Sequence, residues 1–365
     1  MKITRFGSIA AIAMVGALAL TSCAGNETEP TTAPVEGLEG SLAGSGASSQ
    51  TKAQEAWIVG FQGANEVEIA YDGGGSGAGR TAFLEGGVDF AGSDRAFKLE
   101  ELPADGFAAG HPKAAEGATA IELPLYISPI AIGFKLEGID SLNLDAATIA
   151  RIFSGEITNW NDEAIASQNE GVTLPDLAIT PVHRSTNSGT TENFVDYLSK
   201  VAPEAWPYAV SGDWPAEIAG GEAVAETSDM AGALANEGTI GYIDASRAPG
   251  STVSILVGDV YVAYSPEAAA AVVDASPLES GRTPGDLAIA LDRNTTAANS
   301  YPLVLVSYLI AYSDYQDDVQ AELVKAYLGF IASEAGQAIA SENAGSAPIS
   351  EALRTPILEA IDSIS

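Results

Sequence analysis

Apolar and polar positions along this chain follow two periods that change from segment to segment. Val67, Ile69 and Tyr71 are separated by Glu68 and Ala70, the alternation of a strand with one buried face. Ala53, Ala56, Trp57, Gly60 and Phe61 recur at helical spacing and predict a helix. Leu123 to Phe134 is an almost unbroken apolar run carrying Pro124 and Pro129, and predicts a long buried strand broken by the prolines. Asp145 caps a predicted helix over Ala146 to Phe153, and Trp160 in the following turn reads as core. Leu177 to His183 predicts a strand, after which Phe194, Val195 and Leu198 fall on one helical face. Gly238 to Ile243 and Tyr301 to Ile310 predict two more strands, Val319 to Ile331 an amphipathic helix, and Ser350 to Ser365 a terminal surface helix or tail. Strands alternating with helices define an α/β fold. The apolar runs near Pro124–Pro129 and Asn299–Pro302 are candidate crossings between two halves.

Three connections in this pattern are rich in hydroxyls and glycine. Ser41 to Gln50 reads as a loop opening onto the helix that carries Trp57. Asp72 to Gly79 reads as a second loop between a strand and a helical stretch starting at Arg80. It lacks the Lys-Ser/Thr ending of a P-loop, and its glycine spacing is a poor dinucleotide fingerprint. The third runs from Arg184 through Thr186, Ser188, Gly189 and Thr190. A helix N-terminus presents unpaired N–H groups and partial positive charge, which suits an anion. Ser188 and Thr190 add hydroxyl donors there, Gly189 permits close backbone approach, and Arg184 adds a forked cation. In an open α/β sheet such loops gather at the carboxyl ends of the strands. Val88 to Asp94 places Ser93 and Asp94 at another predicted strand end.

Composition narrows the chemistry. With 365 residues, 46% of them hydrophobic, the chain has material for two domains. Its formal charge of -33 argues against nucleic acid and against anionic membrane surfaces as partners. An anion site here must work through local donors. Lys2 and Arg5 followed by an apolar run to Leu20 read as a signal peptide over residues 1–22. Leu20-Thr21-Ser22-Cys23 is similar to the lipobox of bacterial lipoproteins, and Cys23 is the only cysteine. Residues 23–40 then read as a lipid-anchored tether. His111 and His183 are the only histidines, and the chain has neither a nucleophile-elbow motif nor metal-spaced ligands. No catalytic residue, metal site or cofactor is therefore assigned.

Taken together, Gly44 to Ser48, the Gly75-Ser76 loop, Val88 to Asp94, Ile152 to Trp160, Arg184 with Ser188 to Thr190, and Gly238 to Tyr242 carry a resemblance. The chain resembles the phosphate-binding proteins of bacterial phosphate ABC transporters from about Ser41 to about Ile349. The resemblance implies a two-lobed periplasmic-binding-protein fold of type II, with lobe one over 41–125 and 300–365 and lobe two over 126–299. It implies phosphate contacts at Ser48, Ser49, Ser76, Asp94, Arg184, Ser188, Gly189 and Thr190, and delivery to membrane permease subunits of an importer. Ser49 stands where relatives often carry an aromatic residue, and Thr186 where they often carry an Asp beside the arginine. Two other readings stay open: a receptor for another oxyanion such as sulfate or molybdate, and a secreted hydrolase using a Ser with His183.

Overall fold

The computed structural model describes residues 37–297 and 299–365. Residues 1–22, Cys23 and most of the expected tether lie outside them. Among the described residues the strands are β1 (Glu39–Gly46), β2 (Glu66–Asp72), β3 (Phe90–Ser93), β4 (Ala120–Phe134), β5 (Ser141–Leu144), β6 (Thr180–Arg184), β7 (Glu222–Val224), β8 (Thr239–Asp244), β9 (Thr252–Val257), β10 (Val260–Val262) and β11 (Val304–Tyr312). The helices are α1 (Thr51–Gln62), α2 (Ser76–Leu84), α3 (Ala146–Phe153), α4 (Glu163–Ala166), α5 (Gly189–Val201), α6 (Thr227–Ala233), α7 (Pro266–Ala275), α8 (Asp318–Ala332), α9 (Glu334–Ala344) and α10 (Glu351–Asp362).

The strands pair in the order β2-β1-β3-β11-β4-β8-β6-β7. β1, β2 and β3 are parallel, as are β6, β7 and β8, while β4 and β11 run antiparallel to their neighbours. β4 is the shared member. Its first part pairs with β11 as far as Pro129, and from Ile130 to Phe134 it pairs with β8. The return chain meets it there: Ile130 N–H donates to the Leu303 carbonyl at 2.9 Å, and the Tyr301 hydroxyl donates to the Ile130 carbonyl at 2.9 Å. Every residue of β4 and β11 is buried, which explains why both read as continuous apolar runs.

Several boundaries differ from the sequence reading. β4 is not broken by its prolines. A register shift lets Pro124 face Tyr308 and Tyr126 face Ser307, so the missing N–H is absorbed by an irregularity in the ladder. Ser41 to Gly46 is strand and not loop, and β1 already includes Glu39 and Gly40, the last residues of the expected tether. Its small residues look like a linker but are required by packing, because the Phe90 ring lies directly on Gly44. α2 starts at Ser76, four residues ahead of the expected Arg80. Gly79 stands inside this helix because a Cβ there would meet the Gly46 Cα at 2.4 Å. The strand expected over Leu177 to His183 begins only at Thr180, and the one expected from Tyr301 begins at Val304. The C-terminal segment is docked, with Ile357, Leu358 and Ile361 buried.

One ion cluster sits inside this core. Glu122 of β4 is fully buried, accepting from the Phe97 N–H at 2.8 Å and from Arg282 Nη1 at 2.9 Å. Arg282 also pairs with Asp286 at 3.2 Å and with Glu279. Burial first, and then the neighbouring Asp286 charge, push the Glu122 carboxyl from the usual 4.5 up to about 8. Between those values the folded chain holds a proton that the unfolded chain has lost, so this group makes stability fall as pH rises through the window. Glu122→Gln should flatten that decline. Urea midpoints of wild type and variant between about pH 5 and 8 test this, and parallel curves would refute it.

Candidate functional site

The strand ends named in the sequence converge. β1 ends at Gly46, and a 3₁₀ turn follows at Ser48–Gln50. β2 leads to Ser76 at the start of α2, and β3 ends beside Asp94. From the other sheet, β6 ends at Arg184 and leads to α5, while β7 leads to Thr227 at the start of α6. These are the carboxyl ends of parallel strands, where an α/β sheet places its ligands.

Arg184 is buried, and each part of its side chain has its own partner. Nε donates to the Ala225 carbonyl at 2.8 Å, and Nη2 donates to the Thr186 hydroxyl at 3.0 Å. Thr186 in turn donates to the same Ala225 carbonyl at 2.8 Å, so it steadies the arginine without a second charge. Nη1 then faces three hydroxyls, Ser188 at 3.3 Å and Ser48 and Thr227 at 3.4 Å. Behind it the Tyr242 hydroxyl accepts from the Arg184 N–H and pairs with Thr191 at 2.7 Å. Tyr242 stacks on Phe194, which fixes the floor of the site. Burial lowers the guanidinium's pKa below its usual value.

Asp94 is the counterpart. Its Oδ1 accepts from Ser49 Oγ at 2.5 Å and from Ser307 Oγ at 2.7 Å. Oδ2 receives no hydrogen bond among the described residues and lies toward Gly189. Burial raises the carboxyl's pKa, and the bonds from Ser49 and Ser307 with the charges of Arg184 and Arg80 pull it back. Ser76 Oγ accepts from the Asp94 N–H at 3.1 Å, and Ser188 Oγ accepts from the Thr191 N–H at 3.4 Å. Each of these hydroxyls accepts from the protein and keeps its own proton to donate. The first N–H groups of α5 have no partner within the helix. The arrangement is a ring of donors with one free carboxylate oxygen.

The two halves touch at this point. A Cβ on Gly189 would meet the Asp94 Cβ at 2.4 Å and Ser76 Oγ at 2.5 Å. Asn193 Nδ2 donates to the Asp94 carbonyl at 2.6 Å, and Arg95 pairs with Glu192 at 2.8 Å. A cavity of about 290 Å³ lies against Ser48 and Thr227, walled by Asp72 to Gly74, Glu226 and Arg247.

The structure thus brings together Ser48, Ser49, Ser76, Asp94, Arg184, Ser188 and Gly189, with Thr190 buried on the first turn of α5. Cys23 lies outside the described residues. Thr227, Ser307 and Gln50 were not singled out from the sequence. Thr227 had a signal, a hydroxyl-rich helix start at Thr227-Ser228-Asp229, but the strand before it has only three residues. His183 stacks on Trp214 with ring centroids 4.6 Å apart and bonds the Arg184 carbonyl at 3.0 Å, and His111 bonds the Leu84 carbonyl at 3.2 Å. Neither is paired with a serine, and no cluster of metal-ligating residues exists among the described residues.

Two sheets sharing one strand, with donors converging from both, define a two-lobed solute-binding protein. The chain belongs to the PBP superfamily, whose domain matches residues 29–335. It is 30% identical to phosphate-binding protein PstS2 of Mycobacterium bovis and 31% identical to PstS3 of the same species, each over 100% of both chains. The phosphate-binding protein of Stenotrophomonas maltophilia shares the fold with a TM-score of 0.67, at 20% identity, over 87% of this chain and 93% of that one.

Adding a methyl group at the contact between the halves should hold them apart. Gly189→Ala is expected to keep the wild-type circular dichroism spectrum and to cross-link less, through a short bismaleimide, between cysteines placed at Lys52 and Ser246, which the Lys52 side chain bridges by a hydrogen bond to the Ser246 carbonyl here. Equal cross-linking would show that the Gly189 contact does not control the approach.

Proposed function

We propose that this protein is an extracytoplasmic receptor that captures inorganic phosphate between its lobes and delivers it to the permease subunits of an ABC importer. The observation that carries the reading is the free Oδ2 of Asp94 in a ring otherwise made of donors. A tetrahedral oxyanion satisfies the donors, and only one that retains a proton also satisfies the carboxylate. Phosphate keeps a proton near neutral pH, whereas sulfate keeps none. The names of the full-length relatives support the same ligand. Ser48, Ser49, Ser76, Asp94, Arg184, Ser188, Gly189 and Thr190 are the proposed contacts, with Thr227 added. Ser49 would contribute its backbone N–H, since its hydroxyl is engaged by Asp94. The proposed lobes, 41–125 with 300–365 and 126–299, divide close to the point where β4 exchanges β11 for β8. We read the protein as a binder and not an enzyme, because neither histidine has a nucleophile beside it. A lipid on Cys23 would keep it at the outer face of the membrane.

Three measurements test this. Equilibrium binding of phosphate and sulfate to the wild-type protein should show strong preference for phosphate, up to roughly 10⁴–10⁵ where a site is built around a ligand hydroxyl. Arg184→Ala should weaken phosphate binding by at least about tenfold, as loss of a charge-assisted bond requires. Asp94→Asn should change phosphate affinity little and narrow the preference over sulfate, because its amide can donate to an unprotonated oxygen. Equal affinities for the two anions in wild type would reject the phosphate reading. Separately, Cys23→Ala should release the protein from membranes or block its processing, and an unchanged membrane fraction would reject the anchor.

A further inference from the structure

The acceptor role of Asp94 is backed by a chain of buried polar groups that extends away from the site into lobe one. Gln50 Nε2 lies 2.6 Å from Ser307 Oγ and 3.2 Å from the Tyr308 carbonyl. A carbonyl only accepts, so this contact identifies the Gln50 amide nitrogen and leaves its oxygen pointing the other way. That oxygen accepts from Gln54 Nε2 at 3.0 Å, and the Gln54 oxygen accepts from the Tyr327 hydroxyl at 2.9 Å. Every proton in the series is therefore assigned. Ser307 Oγ accepts from Gln50, so the Ser307 proton goes to Asp94 Oδ1. Tyr327, Gln54, Gln50, Ser307 and Asp94 are all buried, so water does not compete for these bonds.

We propose that Gln50 and Ser307 are positioning residues that fix the direction of hydrogen bonding at Asp94, so that the carboxylate acts only as an acceptor and selects the protonated ligand. This rests on the phosphate reading. Without the Ser307 proton on Oδ1 the ionised form is less stabilised, and an Asp94 protonated on Oδ2 would donate toward the ligand. A donating Asp94 matches sulfate as well as phosphate. The relay thus excludes the wrong anion without touching either one. The 3₁₀ turn ahead of α1 supplies Gln50, α1 supplies Gln54, β11 supplies Ser307 and α8 supplies Tyr327, which gives these polar side chains a reason to stand among the apolar residues of the core.

The titration of Asp94 reports the relay directly. Around the carboxyl, Arg184 faces it from β6, Arg80 from α2, Tyr71 from β2, Tyr126 from β4 and Asp244 from the end of β8. The two arginines stay charged and the two tyrosines neutral across the range of interest. Asp244, itself pushed up to about 6 by burial, is removed as a variable by repeating each titration on an Asp244→Asn background.

The experiment follows the Asp94 carboxyl carbon resonance against pH in ligand-free protein, and measures phosphate and sulfate dissociation constants over the same range. Ser307→Ala should raise the Asp94 midpoint by about one pH unit, the tenfold effect of one charge-assisted bond. The pH at which sulfate ceases to be rejected should rise with it. Gln50→Met should move both in the same direction by less, and Ser307→Thr, which keeps the hydroxyl, should bring them back. Wild-type midpoints and anion ratios in folded Ser307→Ala and Gln50→Met would overturn the relay. A shifted midpoint in a protein that binds neither anion would instead support the relay's control of Asp94 and reject the phosphate reading.

Discussion

A carboxylate buried in a ring of donors is the constraint on which the rest of this site depends. Moving such a charge out of water is costly by several kcal/mol unless hydrogen bonds replace the lost solvent. Asp94 has no arginine hydrogen-bonded to it. It is held by two hydroxyls on one oxygen, with Arg184 and Arg80 acting at longer range. A direct salt bridge would have stabilised the charge more simply, but would have filled the ring. Hydroxyls stabilise the anion and leave its second oxygen available.

The same constraint accounts for the small residues around it. Strand ends from two sheets must crowd around one carboxylate, so Gly79 lets α2 lie against β1 and Gly189 lets α5 press on Asp94. Arg184 must point at the same spot from the opposite side, and its other nitrogens are tied to Ala225 and Thr186 so that only Nη1 faces the hydroxyls. A molecule with a formal charge of -33 repels anions at long range, and these short-range donors offset that field within the ring.

Much of this was legible in the sequence because local signals and tertiary demands agreed. The Asp145 cap, the helix it starts and the turn from Arg184 through Ser188 into α5 stand as read. The buried runs that became β4 and β11 were also visible, though not their ends. Failures occurred where composition was set by packing against something distant. Ser41 to Gly46 has the composition of a linker and is a central strand, since the Phe90 ring leaves no room for larger side chains. Gly77 and Gly79 disguised the first turn of α2 for the same reason. Ser307 sits in an apolar strand, and Gln50 sits ahead of a helix with nothing local to mark it. The contacts that join them to each other and to Asp94 span more than 200 residues, to which no periodicity is sensitive.

The division of parts between the sheets has a kinetic consequence. Asp94, Ser49, Ser76 and the groups that orient the carboxylate all belong to one half, while Arg184, Ser188 and Gly189 belong to the other. The hydroxyls that orient the carboxylate therefore come from the same half as Asp94. On the proposed function, an incoming ion would be read for its proton at the first half, and its charge would be neutralised by Arg184 only when the second half arrives. Rejection of a wrong ion would then precede closure. On that reading affinity and selectivity would be set at different moments, and a change in lobe two would lengthen residence time without altering which ion is chosen.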